Sequence, residues 1–315
     1  MSYFWGCFSM NSMEICIFLE NLRYGRRLSQ EEFIEGIVSQ RQYARYRNGE
    51  CEITYEKLDQ FASRLGIPAK KLLNEFEKAK NMQYLKVDRY YNAVVNRDSH
   101  QIKELENEIE KIVWLDEERK LYFQHAKMLD EFLSGKITKE VVVSRTNAMI
   151  NYSDLLRQKY LTDIEILVLS FLLSVVGIEE QKVILRKLST YFETKEGIMS
   201  GDNDFAHPLI LMRMAKVYGV QKNYDRVLQF SEMGIQRGID TKSYYLLDYF
   251  YYFKALAYFK LESYDLFEDA LFRCYNTLQL EGNKKKIEKF TAFIEKDFHI
   301  NFDGFIINYL KKRIL

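Results

Sequence analysis

The chain has 315 residues, 47% hydrophobic and 29% charged, and its 46 Lys and Arg nearly balance 45 Asp and Glu for a net charge of +1. That length supports two domains, each able to bury a core, while the near-neutral balance excludes wholesale attraction to nucleic acid, so any DNA affinity must come from a local patch. Only 2 prolines and 14 glycines argue for continuous helices over strands and turns, and 23 Tyr with 22 Phe point to large packed interfaces or an aromatic groove.

Residues 1–11, MSYFWGCFSMN, read as an aromatic, apolar N-terminal arm. It is too short to span a bilayer and lacks the basic start and small-residue cleavage site of a signal peptide. A first helix is predicted from about Ser12 to Tyr24, with Ile15, Phe18, Leu19 and Leu22 on its buried stripe.

The stretch from Ser29 to Gly49 has the pattern of a helix-turn-helix. Ser29 can cap a short helix running from Gln30 to about Glu35, and Glu32 stands where a capping box places its return partner. Gly36 with Ile37 and Val38 makes an inward-packing turn, Ser39 offers a second N-cap, and Asn48-Gly49 ends the second helix because both residues tolerate the left-handed conformation. Helical spacing puts Tyr43 and Tyr46 on one face, with Ala44 expected to allow close helix approach. Gln40, Arg41 and Arg45 project from another face. Arg matches guanine and Gln matches adenine in the major groove, so this helix carries the residue types that base readout requires. The candidate DNA-binding set is Gln30, placed to hold a phosphate, with Ser39, Gln40, Arg41, Gln42, Arg45 and Arg47; Arg23, Arg26 and Arg27 precede it as a locally basic run.

From Leu19 to Phe76 the chain resembles the DNA-binding domain of the Rgg regulators, relatives of PlcR and PrgX among the peptide-pheromone-responsive regulators. The resemblance rests on Leu22-Arg23, Leu28-Ser29, Ser39 through Arg45, the GECEIT run from Gly49 to Thr54, Leu58, and Leu65-Gly66-Ile67. Where that family usually has an aromatic residue followed by Glu-Arg-Gly, this chain has Tyr46-Arg47-Asn48-Gly49, which removes a local salt bridge and frees Arg47 for a phosphate. The resemblance implies a homodimer on double-stranded operator DNA and an imported small signal peptide.

Thr54 caps a further predicted helix through Leu58, Phe61 and Leu65, stopped by Gly66-Ile67-Pro68 because the residue before Pro is pushed out of the helical region. A last helix from about Ala69, with Leu72, Leu73 and Phe76, closes the helix-turn-helix domain, which spans 12–77. Residues 78–97 then read as a helical linker.

The remainder, 98–315, is helix after helix. Asp116 to Leu133, Ser153 to Tyr160 and Asp163 to Val176 are each long enough for one, and His207-Pro208 looks like a helix start. Ala215, Tyr218, Tyr224-Asp225 and Gly234 recur about forty residues later as Ala255, Tyr258, Tyr264-Asp265 and Cys274. This is tetratricopeptide-like patterning with longer helices than the usual repeat of about thirty-four residues. Leu161 to Ile166 and the following LVLSFLL run also resemble the Rgg regulatory domain. The wall of such a repeat is lined by the first helix of each pair. Here it is expected to carry Met212, Arg213 and Lys216, then Tyr249, Tyr252 and Phe253, which would suit an extended peptide with apolar side chains and a carboxylate.

Cys7, Cys16, Cys51 and Cys274 lack CxxC spacing and paired histidines, so they read as reduced thiols, with only Cys51 near the expected DNA-domain surface. His100, His125, His207 and His299 have no metal or triad spacing, and no Gly-rich phosphate loop, GxSxG or HExxH is present. The expectation is an all-α protein that is not an enzyme and needs no cofactor. It would be a cytoplasmic quorum-sensing transcription regulator with a helix-turn-helix domain and a repeat domain that binds peptide and dimerises, without membrane attachment. The alternative is a helical-repeat scaffold or phage or plasmid control factor with a protein partner.

Overall fold

The computed structural model describes residues 12–194 and 206–314, all of whose regular elements are helices. The N-terminal arm lies outside the described residues. By contacts the chain falls into two compact units, Met1–Ser134 and Gly135–Leu315.

The first unit contains α1 (Ser12–Gly25), α2 (Gln30–Ile34), α3 (Gln40–Arg47), α4 (Tyr55–Arg64), α5 (Ala69–Asn96), α6 (Ser99–Ile109) and α7 (Glu117–Leu133). The expected starts are where the side chains put them. Ser29 and Glu32 form the capping box, and Ser39, Thr54 and Asp116 accept from the first-turn amides of α3, α4 and α7. Gly36 and Gly49 take the left-handed conformation at φ 71°, which turns the chain between α2 and α3 and again after α3. A core of Ile15, Leu19, Phe33, Tyr43, Leu58, Phe61 and Leu72 holds the four short helices against the start of α5. Phe33 and Phe61 stack at 5.1 Å and Tyr43 leans on both.

The closing helix and the linker of the sequence reading are one 28-residue helix, α5, because nothing between Phe76 and Asn96 breaks it. Leu115, from the segment before α7, joins the helix-turn-helix core. Gln83 of α5 holds that segment by donating to the Val113 carbonyl at 2.9 Å and accepting from the Leu115 amide at 3.2 Å. Lys80 bridges Glu14 of α1 at 3.2 Å and Asp116 at 2.9 Å.

The second unit contains α8 (Lys139–Ile150), α9 (Tyr152–Leu155), α10 (Asp163–Leu172), α11 (Ile178–Thr194), α12 (Ala206–Val220), α13 (Tyr224–Asp240), α14 (Leu247–Lys260), α15 (Tyr264–Glu281), α16 (Lys284–Phe298) and α17 (Phe302–Ile314). The helix expected from Ser153 to Tyr160 stops at Leu155. The repeat is a pair of antiparallel hairpins, α12 with α13 and α14 with α15. Its two copies turn alike, through Lys222 at φ 59° and Glu262 at φ 57°, and resume at Tyr224 and Tyr264. Ala215, Ala255 and Cys274 are fully buried, and at Gly234 a β-carbon would lie 2.2 Å from the Phe250 ring, so the small residues mark where helices touch. The first helices α10, α12 and α14 pack on one another more closely than the second helices do, which places them in an inner row.

Candidate nucleic-acid interface and repeat-domain face

The second helix of the helix-turn-helix divides cleanly. Tyr43 and Tyr46 are buried, while Arg47, Gln40, Ala44, Arg41 and Arg45 follow one another around the exposed side of α3. Tyr43 is locked from below, its hydroxyl donating to Glu20 Oε1 at 2.7 Å. Glu20 also accepts from Arg23 Nε at 3.0 Å and Nη2 at 2.7 Å, and Arg23 Nη1 reaches the Leu28 carbonyl at 2.5 Å. Burial would raise the Glu20 carboxyl, but the hydrogen bonds from Arg23 and Tyr43 hold it below the usual carboxylate range. Burial and Glu20 push the Tyr43 hydroxyl up. Arg23 is therefore 5% exposed and anchors the core, leaving only Arg26 and Arg27 of the predicted basic run at the surface.

Other predicted contacts also move. Ala44, expected at a helix contact, sits exposed in the middle of the α3 face. Gln42 is turned aside, half-buried, with its amide donating to Cys51 Sγ at 3.2 Å. The Ser39 hydroxyl accepts from the Gln42 amide at 3.1 Å as the cap of α3. Gln30 is half-buried at the start of α2. Gln40 donates to Glu31 Oε1 at 3.3 Å, and Arg45 lies 3.7 Å from Glu50 with both side chains about half exposed, a pair too solvated to hold the guanidinium firmly.

Two positioning residues were missed. Lys57 donates to the Ile37 carbonyl at 3.0 Å, and Arg64 donates to the Glu32 carbonyl and, at 2.7 Å, to the Glu35 carbonyl. Both tie α4 to the open end of α2 and the turn, where backbone acceptors have no helical partner. Each stands three or more residues past the Thr54 N-cap on an amphipathic helix, a pattern that by itself says only "solvated".

In the repeat domain the predicted wall is rotated. Arg213 is buried and donates to the Leu167 carbonyl at 3.2 Å and to Ser170 Oγ at 2.8 Å, with its guanidinium 5.5 Å from the Phe171 ring. It faces the preceding inner helix, α10. Phe253 holds the equivalent position one repeat on and is 8% exposed. Tyr252, also 8% exposed, faces the following helix α16, where its hydroxyl donates to Asp297 and its ring meets Phe290 at 5.9 Å. These three residues fill the joints between inner helices, and Met212, equivalent to Tyr252, is half-buried beside them.

On α14, Lys254 pairs with Glu232 of α13, so its stripe lies against the second helices. The opposite stripe, Tyr249, Leu256 and Lys260, is the open one, and its exposed counterparts on α12 are Lys216 and Val220, Leu209 being buried. Lys216 and Tyr249 of the predicted wall thus remain on the open face. A separate open cavity of about 690 Å³ lies between α15 and α17, lined by Glu268, Asn301, Phe305, Tyr309 and Lys312, with Lys312 and Glu268 paired across it at 2.8 Å.

No known family model and no curated protein matches the chain. Solved structures do. PlcR from Bacillus thuringiensis, in complex with the peptide PapR7 and DNA, is 18% identical, with a TM-score of 0.51 over 88% of this chain and 98% of that one. ComR from S. thermophilus, in complex with DNA and its signalling peptide ComS, is 14% identical, with a TM-score of 0.55 over 90% of this chain and 99% of that one. ComR from Streptococcus vestibularis, in complex with its cognate signaling peptide XIP, is 16% identical, with a TM-score of 0.55 over 91% of this chain and 99% of that one. This chain has the fold of PlcR and ComR.

The order of elements from α1 to α17 is a helix-turn-helix followed by stacked helical pairs. No described helix is long and apolar enough to cross a membrane. The described thiols are those of Cys16 and Cys274, both buried, and half-buried Cys51; burial pushes the Cys16 thiol up to about 12.

Proposed function

We propose that this chain is a cytoplasmic transcription regulator, not an enzyme, that reads operator DNA through α3 and is switched by a small peptide bound on the open face of its repeat domain. One observation carries the reading. α3 presents Gln40, Arg41, Arg45 and Arg47 around a small central Ala44, on a helix whose other side is locked by the Tyr43–Glu20–Arg23 chain. A small residue at the centre lets the helix backbone approach the groove floor while the long side chains reach base edges and phosphates. Glu32, which would repel phosphates, is turned onto its own cap.

Two solved structures with this fold, PlcR and ComR, hold both DNA and a peptide. Lys216 and Tyr249 are the predicted peptide contacts that the open face retains, while Arg213, Tyr252 and Phe253 set the spacing of the inner helices. One reading helix spans few base pairs, so the functional species is a homodimer whose twofold axis matches a palindromic operator. The peptide acts by binding one arrangement of the dimer more tightly than another, since equal affinity for both would shift nothing.

Selection of duplexes from random-sequence DNA on the full-length protein tests the helix-turn-helix. Arg41→Ala combined with Arg45→Ala is expected to abolish sequence-specific retention on the selected duplex, each lost bidentate contact costing about 1–3 kcal/mol of discrimination, with helicity and oligomeric state unchanged. Undiminished specific retention by that folded variant would overturn the assignment of α3.

A further inference from the structure

Several lysines at the joints and outer row of the repeat domain are paired: Lys254 with Glu232, Lys286 with Asp248 at 2.9 Å and Glu281 at 2.6 Å, and Lys312 with Glu268 at 2.8 Å. Those on the open face are not. Lys216 on α12, Lys260 on α14, and Lys285 and Lys289 on α16 have no carboxylate within ion-pair distance among the described residues, and no Asp or Glu shares the α12 and α14 stripes. In a chain whose net charge is +1, this face gathers four lysines from three helices, with the exposed Glu288 beside them on α16.

Within this face one point is built to hold an anion. Lys289 Nζ lies 3.1 Å from the Tyr249 hydroxyl and sits between two rings, 5.7 Å from that of Tyr249 and 5.6 Å from that of Phe293. Phe293 is 38% exposed and Tyr249 half-buried, so the rings offer apolar contact beside the ammonium. Tyr249 rests edge-on against Phe290 at 4.8 Å, which fixes its ring and aims its hydroxyl.

We infer that the peptide taken by this face is acidic, and that one of its carboxylates is bound jointly by Lys289 Nζ and the Tyr249 hydroxyl, with an apolar side chain against Phe293. The inference rests on the reading of this face as a peptide site and adds the chemistry of the ligand. Charge complementarity selects it: an exposed ammonium within reach of two aromatic rings gains most from a carboxylate, whereas a basic or neutral peptide leaves Lys216, Lys260 and Lys289 repelled or idle. The Tyr249 hydroxyl then donates to the carboxylate while Lys289 supplies the counter-charge.

The test is affinity selection from a randomised synthetic heptapeptide pool on the full-length protein, with the retained peptides sequenced by mass spectrometry. Asp, Glu or a free C-terminal carboxylate is expected to be enriched over the input. The best-retained peptide should lose about tenfold in affinity on Lys289→Gln, with a smaller loss on Tyr249→Phe, which keeps the ring. Both substitutions are at the surface of α14 and α16, and unchanged thermal unfolding establishes that the variants are folded. Retained peptides without acidic enrichment, or equal affinity for Lys289→Gln, would overturn the inference while leaving the peptide site standing. Retention of no peptide by the folded protein would remove both. Displacement of the retained pool by a short single-stranded oligonucleotide would overturn the inference by assigning the face to phosphates.

Discussion

At the scale of single residues, charge is placed where the local environment decides its worth. Asp88 on α5 is mostly buried and accepts from the Tyr122 hydroxyl at 2.8 Å; burial raises its carboxyl to about 6, against the lowering effect of that hydrogen bond. The folded state therefore holds this proton more tightly than the unfolded chain. Between the unfolded carboxylate value of about 4 and the folded value, the native state binds the extra proton, so stability falls as pH rises through that window and stays lowered above it. Asp88→Asn keeps an acceptor for Tyr122 and removes the ionisation. It is expected to match the wild type near pH 4 and to exceed it by about 1–3 kcal/mol at pH 7 to 8, as read by urea unfolding at both pH values; equal stability at pH 8 would contradict the assignment. Glu20 works in the opposite direction. Its lowered carboxyl contributes stability that is present above the unfolded value and lost as pH falls through the folded one. Tyr43→Phe, which removes one of the bonds holding Glu20, is expected to cost about 1 kcal/mol in the same assay and to weaken DNA binding by loosening the seat of α3. Neither carboxylate stands out in the sequence, because a Glu or Asp on a helix looks solvated until the tertiary partner is known.

At the scale of elements, what was legible depended on range. Caps are local, so Ser29, Ser39 and Thr54 start their helices as expected from neighbours within a few residues. The forty-residue repeat was legible because Ala215, Tyr224 and Gly234 and their counterparts do the same packing work twice. Which stripe of a repeat helix faces outward was not legible, because α12 and α14 are apolar nearly all round, and only their neighbours separate Arg213 at a joint from Lys216 on the face. Gly234 offers a direct check of the packing. Gly234→Ala puts a methyl group into the Phe250 ring, where the nearest ring carbon is 2.2 Å away. That overpacking is expected to destabilise the repeat domain by about 1–3 kcal/mol, measured as a drop in unfolding midpoint, with Phe250→Leu in the same chain restoring part of the loss. An unchanged midpoint would contradict the close approach of α13 and α14.

At the scale of the whole molecule, a near-neutral chain presents exposed arginines on the face of α3 and exposed lysines on the open face of the repeat domain, two surfaces that suit DNA and an acidic peptide. Everything else is ordinary helical packing, which is why the fold could be anticipated while the partners that bury Arg213 and Tyr252 could not. The central claim is that this protein binds operator DNA. Fluorescence anisotropy of the full-length protein on a duplex from the region upstream of its own gene, with nonspecific competitor, measures that directly. The account predicts a specific complex that weakens by about a hundredfold or more between 50 and 200 mM salt and is absent for the Arg41→Ala, Arg45→Ala variant. Salt-insensitive binding, or no specific binding by the folded protein either alone or with the selected peptides, would contradict it.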